Sequence, residues 1–163
     1  MKGHATLMSR ASDEWSTPDD LFQSLHALYR FEVDAAATAQ NKKCDYYLGP
    51  DSPIPDALAI RWAMAGQRLF CNPPYSKLYA FLARAHEAMR DGCLVVMLMP
   101  ARTDTKSWHQ YIYDLGKGDW RPGVSCLFLK GRLKFGGAKS GAPFPSAIVT
   151  FDGRERKDSS AHG

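Results

Sequence analysis

The sequence predicts an α/β domain, a mostly parallel sheet with helices on both faces, and three observations carry that expectation. Apolar runs of strand length fall at residues 31–34, 68–71, 94–99, 124–129 and 147–151. Stretches of helical period at 19–29 and 76–90 alternate with the first of them, which is the order of a layered α/β fold. The run Leu94-Val95-Val96-Met97-Leu98-Met99 is unbroken by any polar residue, as expected of a strand buried on both faces. With 163 residues, 45% of them hydrophobic and 12% aromatic, the chain is long enough for one ordinary core.

Taken in order, residues 1–13 are small, polar and irregular and 153–163 are rich in Gly, Ser and charge, so a folded domain is expected over 14–152 between two flexible tails. The first helix reads from Thr17 as N-cap and Pro18 at its first position, with Leu21, Phe22, Leu25 and Leu28 at helical spacing. The following strand ends at Asp34 and gives way to Ala35-Ala36-Ala37, small residues that let backbone approach a ligand closely. A second strand closes on Cys71, and the helix after it presents Leu78, Phe81, Leu82 and Ala85 on one face. Asp34, Asn72 and Pro100 all fall at carboxyl ends of strands, where ligands bind in α/β sheets.

Several function classes find no support. Cys44, Cys71, Cys93 and Cys126 are widely spaced without a C-x-x-C pair, which reads as reduced structural thiols in a cytoplasmic protein. The five histidines have no metal-ligand spacing, no phosphate loop of the Walker type is present, and no apolar stretch is long enough to cross a bilayer, so no metal, nucleotide hydrolysis or membrane attachment is expected. A net charge of +4 suits a polyanionic partner and is shared by many proteins without one.

The residues that carry chemistry are Asn72-Pro73-Pro74-Tyr75, set directly after the strand that ends at Cys71. An amine on a purine or pyrimidine donates its lone pair into the ring and attacks a methyl sulfonium poorly until acceptors take its two N–H groups. The Asn72 side-chain oxygen and the Pro73 carbonyl supply two acceptors, while Pro73 and Pro74 fix φ and hold the peptide in place. Tyr75 can stack on the base. Such a stack returns roughly 1–3 kcal/mol, comparable with the few kcal/mol needed to pull a base from a duplex. Asn-Pro-Pro is equally good turn chemistry after a strand, and Tyr is a common surface aromatic.

The chain resembles the phage and prophage DNA N-6-adenine methyltransferases of the Dam-like group. The resemblance runs from Glu14 to Phe151 through Glu14-Trp15-Ser16-Thr17-Pro18, Phe31 to Ala37, Asp56-Ala57-Leu58 with Trp62, Asn72 to Tyr75, Pro100 to Thr105, Gly131 to Phe135, and Ala142 to Ala147. It implies a compact, trimmed Rossmann-like S-adenosylmethionine-dependent methyltransferase domain acting on adenine in double-stranded DNA within a bacterial host cell. The glycine-rich cofactor loop of larger methyltransferases is replaced here by Asp34-Ala35-Ala36-Ala37, and the interval from Asp34 to Asn72 is short, so a trimmed sheet is expected. Sequence reading must then come from loops or from a second subunit, as in a homodimer.

Within that frame, Asp34, with Ala35 and Ala36 beside it, is a candidate for the methionine amino group or ribose of the cofactor, or a plain cap. Trp15, Thr17 and Pro18 are candidates for a cofactor wall, against the alternative of a capped helix with a buried Trp, and Asp56 is a ribose or adenine ligand or another cap. Arg102 and Thr103, followed by Thr105 and Lys106, stand where a loop reaches phosphates. Lys130, Arg132, Lys134 and Phe135 form a basic, aromatic, glycine-flanked segment suited to DNA contact. The same chemistry on cytosine, an RNA base or a protein glutamine, and a non-catalytic phage DNA-binding protein, remain alternatives.

Overall fold

The computed structural model describes residues 15–155. Helix α1 (Asp19–Tyr29) leads to β1 (Val33–Asp34) and β2 (Tyr46–Tyr47), then through 3-10 turns at Ala57–Ala59 and Trp62–Met64 to β3 (Arg68–Cys71). A turn at Tyr75–Lys77 runs straight into α2 (Leu78–Arg90), followed by β4 (Leu94–Pro100), the short α3 (Lys106–Tyr111) and a small hairpin, β5 (Tyr113–Asp114) and β6 (Asp119–Trp120). Strands β7 (Val124–Phe128) and β8 (Ser146–Asp152) complete the order.

Six strands form one sheet in the order β2-β1-β3-β4-β8-β7. Strands β2, β1, β3 and β4 are parallel neighbours, whereas β8 enters antiparallel between β4 and β7. Side-chain alternation divides the core into two layers. Leu69 and Cys71 of β3, Val95, Met97 and Met99 of β4, and Ala147, Val149 and Phe151 of β8 face α2, which buries Phe81, Leu82, Ala85, Ala88 and Met89 against them. On the opposite face, Phe70, Leu94, Val96, Leu98 and Ile148 meet Phe22 and Leu25 of α1 together with Phe135, Ala142 and Phe144. All seven residues of β4 are buried, which explains its unbroken apolar run.

The structure adjusts several expectations. Helix α1 begins at Asp19 with Pro18 at its N-cap and no side-chain cap, so Thr17 does not cap it. Leu28 is 76% exposed, and Tyr29 takes its place on the packed stripe. Arg30, at φ 53, ends the helix by donating its N–H to His26 O. The segment 35–67 is folded closely despite its shortness. Gly49 lies so near the chain that a Cβ would fall 1.7 Å from Ala37 O, which only glycine permits. Arg84 reaches from α2 to donate twice to Leu58 O, at 2.6 and 3.0 Å, tying this segment to the helix. At the other end Gly153 is buried and donates its N–H to Cys93 O at 2.8 Å, and the exposed Arg154 pairs with Asp152 at 2.9 Å; residues 1–13 and 156–163 of the two expected tails lie outside the described residues. Among the described residues no helix is long and apolar enough to cross a membrane, and none of the four cysteines is in a disulfide.

Candidate functional site

The sheet's direction decides where the chemistry-bearing residues gather. Because β7 is antiparallel to β8 and β8 to β4, strand β7 runs with β1, β3 and β4, and all four carboxyl ends lie along one edge. That edge carries Asp34, Asn72, Arg102 and the segment leaving β7.

A cleft with about 910 Å³ of empty space out to its mouth opens there. Its lining includes Trp15, Thr17, Asp34, Ala36, Asp56, Asn72 and Pro74. Residues widely separated in sequence are thus brought together. Leu48, Gly49, Pro50, Lys77 and Phe81 complete the walls, contributions that nothing in the local sequence pattern announced. Pro18 and Ala35 do not line it: Pro18 faces a neighbouring trough, and Ala35 is fully buried with its N–H donated to Phe70 O at 2.8 Å.

Asp34 is buried at the end of β1, and both its oxygens are engaged. Oδ1 accepts from the Ala36 N–H at 3.2 Å and Oδ2 from the Lys43 N–H at 3.0 Å, so the carboxylate braces the loop between them rather than capping a helix. Burial pushes its pKa up to about 7, and the two backbone donors together with the Lys43 charge only partly oppose that rise. Asp56 caps the turn at Ala57–Ala59 by accepting from the Leu58 N–H at 2.9 Å while still lining the cleft.

Asn72 stands at the centre. Its Nδ2 donates to the Trp15 carbonyl oxygen and, at 3.0 Å, to Thr17 Oγ1. Those two acceptors fix the orientation of the amide, since a flipped group would set oxygen against the Trp15 carbonyl. Oδ1 is thereby left buried with no partner among the described residues. Thr17 is therefore an orienting group for Asn72, a role its place beside a helix start concealed. Pro73 is buried beneath the edge. Tyr75 is half-buried and meets Phe144 edge-to-face at 5.2 Å, and burial raises its phenol pKa, which keeps the hydroxyl neutral.

Trp15 packs edge-on against Phe135 at 5.3 Å and Phe144 at 5.5 Å. The connection from β7 to β8 thus folds over the start of the described chain and forms a roof above the strand ends. Phe135, expected at a DNA surface, is only 3% exposed and belongs to this roof's core; its aromatic ring is spent on Trp15. Lys130, Arg132 and Lys134 remain exposed on the same segment, as do Arg102 and Thr103 after β4. The Thr103 carbonyl is tied to His109 Nε2 at 2.8 Å, which leaves the Thr103 side chain on the surface.

The chain is similar to known proteins. A family described as DNA N-6-adenine-methyltransferase (Dam) matches residues 4–146. A DNA N-6-adenine-methyltransferase of Escherichia phage T1 is 33% identical over 94 residues, covering 57% of this chain and 38% of that protein. A putative methyltransferase, YfdM, of Escherichia coli strain K12 is 31% identical over 70 residues, covering 42% of this chain and 77% of that one. The match therefore spans well under two thirds of the phage protein's length. With the greater part of its residues covered by the family, the chain belongs to the DNA N-6-adenine-methyltransferase (Dam) family.

Proposed function

We propose that this chain methylates the 6-amino group of adenine in double-stranded DNA, with S-adenosylmethionine as donor and the target base turned out of the helix. The observation that carries the reading is Asn72, whose amide nitrogen is tied to Trp15 O and Thr17 Oγ1 while its oxygen stays buried without a partner among the described residues. An orphan acceptor in a folded interior costs about 1–3 kcal/mol, and an amino group entering beside it removes that cost.

The cleft suits the donor. Small residues at Ala36 and Ala37 let a ligand approach the backbone, and the Asp34 carboxyl offers a counter-charge for a cationic group. Trp15, Asp34, Ala36 and Asp56 are the residues that would hold it, and when bound it supplies an electrophilic methyl group on sulfur.

The remaining work is done by the chain. Asn72 Oδ1 accepts one N–H of the target amine and the Pro73 carbonyl the other, which draws the nitrogen lone pair out of conjugation with the ring. Tyr75 provides an aromatic surface for the extruded base, worth roughly 1–3 kcal/mol. Orientation supplies the largest contribution, up to about 7–11 kcal/mol when nucleophile and methyl group are held in line. No strong base is needed in the site, since the proton leaves to solvent after the N–C bond has formed at the expense of the methyl–sulfur bond.

Incubation with duplex DNA and S-adenosylmethionine, followed by mass spectrometry of the nucleosides, tests the reading directly. N6-methyladenine is the expected product. Methylcytosine, or no modified nucleoside from protein that binds both ligands, overturns it.

A further inference from the structure

Beside the cofactor cleft lies a second depression, a polar trough that shares Ser16, Thr17, Asn41 and Lys43 with it. It holds about 1170 Å³ of empty space and runs between the start of α1, the 40–43 loop and the turn at Phe135–Gly137. Its character differs from that of the cleft. Among the described residues three lysines, Lys42, Lys43 and Lys134, line it, and one carboxylate, Asp19, opposes them. Asp19 is already neutralised by Lys43 at 2.5 Å. Among the described residues that leaves Lys134 and Lys42, both exposed, as the cations of the trough; the Lys42 ammonium sits 5.4 Å from the centre of the Tyr47 ring and is shared electrostatically with the exposed Asp51 carboxylate.

The walls between them are amides. Gln23, Gln40 and Asn41 line the same trough, and such groups donate to and accept from phosphate, sugar and base edges alike. At Gly137, φ is 77 and no heavy atom lies within 4 Å of where a Cβ would stand, so the wall beside Lys134 is bare backbone. Cations spaced around amide groups and open backbone, in a channel rather than on a convex surface, match the pattern by which a nucleic-acid backbone is tracked.

We propose that this trough seats the DNA strand next to the target nucleotide, with Lys42 and Lys134 each neutralising one flanking phosphate and Gln23 and Gln40 contacting the adjoining nucleotide. The inference rests on the DNA-acting reading given above and adds to it a site on the α1 side of the cleft. The shared wall supplies the geometry. Thr17 lines both depressions and accepts from Asn72, so a strand lying in the trough passes within one residue of the amide that holds the target base.

The test compares the full chain with Lys42→Gln, Lys134→Gln and the double variant, using a duplex with fluorescence anisotropy across a salt series. Lys117→Gln, on the exposed turn of the small hairpin, serves as the control. Each trough substitution is expected to weaken DNA binding about tenfold and to lower the slope of log K against log salt by about 0.9, with additive losses in the double variant. KM for DNA rises while kcat and S-adenosylmethionine affinity by calorimetry stay at wild-type values. A slope unchanged from wild type, or a loss no greater than that of Lys117→Gln, overturns the trough even if N6-methyladenine is formed. Lowered salt slopes and weakened DNA binding in the trough variants, without any methyl transfer by the wild type, leave the trough standing and sink the catalytic reading instead.

Discussion

Two neighbouring strand ends carry short polar side chains that are held in opposite ways. Asp34, at the end of β1, has a backbone N–H on each carboxyl oxygen. Asn72, just past β3, has its nitrogen fixed twice and its oxygen buried with nothing to accept among the described residues. The first group is braced by the fold and shapes a loop while its carboxyl still lines the cleft. The second is left unfinished, and a buried polar atom without a partner points to a ligand that completes it. Substitution at each end therefore breaks a different property: catalysis at Asn72, loop geometry and charge at Asp34.

The largest effect is expected from Asn72→Ala. Removing a single preorganised hydrogen-bonding group from a reacting centre lowers kcat by about 10²–10³, and here the same change also releases Trp15 O and Thr17 Oγ1. Methyl transfer should fall by at least about that factor while S-adenosylmethionine affinity by calorimetry stays near wild type. Retained activity removes Asn72 from the mechanism.

A second comparison, between the two kinds of residue on the β7–β8 connection, gives the next prediction. Phe135 is buried on Trp15, whereas Lys130 on the same segment is exposed. Phe135→Ala should cost about 3 kcal/mol of stability, seen as a lower urea midpoint, because deletion of a buried aromatic leaves a cavity. Lys130→Ala should stay within about 0.5 kcal/mol. Equal midpoints for the two variants contradict the roof packing.

Phe135 also shows where sequence reasoning reached its limit. Strand ends, the fully buried β4, the α2 stripe and the place of Asn72 were legible because each depends on local period and on the punctuation of Pro and Asp. The roof was not, since a basic, glycine-rich segment has the same composition whether its aromatic faces DNA or turns inward. Thr17 misled for a related reason. Next to Pro18 it has the signature of a helix cap, and only the 55-residue chain reversal that brings Asn72 to 3.0 Å shows what its hydroxyl accepts. Strand β2, two residues long, and α3 are too short for periodicity to register. Lys42 and Gln40 gave no signal because a trough between three separate elements exists only in the fold.

At Asp34 the expected effect is on pH dependence. With its pKa raised to about 7 by burial, the carboxyl is largely protonated at pH 6 and must ionise to face a cationic ligand. Below about pH 6, S-adenosylmethionine affinity should climb by nearly tenfold per pH unit, levelling above pH 7. The free protein behaves inversely. A folded pKa above the unfolded value means that the folded state holds more protons between about pH 4 and 7, so the stability contributed at low pH is lost as pH rises through that window. Subtracting the urea midpoints of Asp34→Asn from those of wild type across pH 4–8 isolates this slope, and a flat difference removes the buried titration.

The smallest and most selective change is Thr17→Val, which keeps the volume of the side chain and deletes the acceptor. Asn72 Nδ2 then retains only the Trp15 carbonyl, and its oxygen is held by one anchor in place of two. A neutral hydrogen bond of this kind contributes about 1 kcal/mol, so kcat should fall roughly fivefold. KM for S-adenosylmethionine should hold, because the wall contributed by Thr17 is unchanged in shape. If instead KM rises and kcat is untouched, Thr17 acts as a cofactor ligand, as the family resemblance implied, and the orienting role assigned from the Asn72 contact falls.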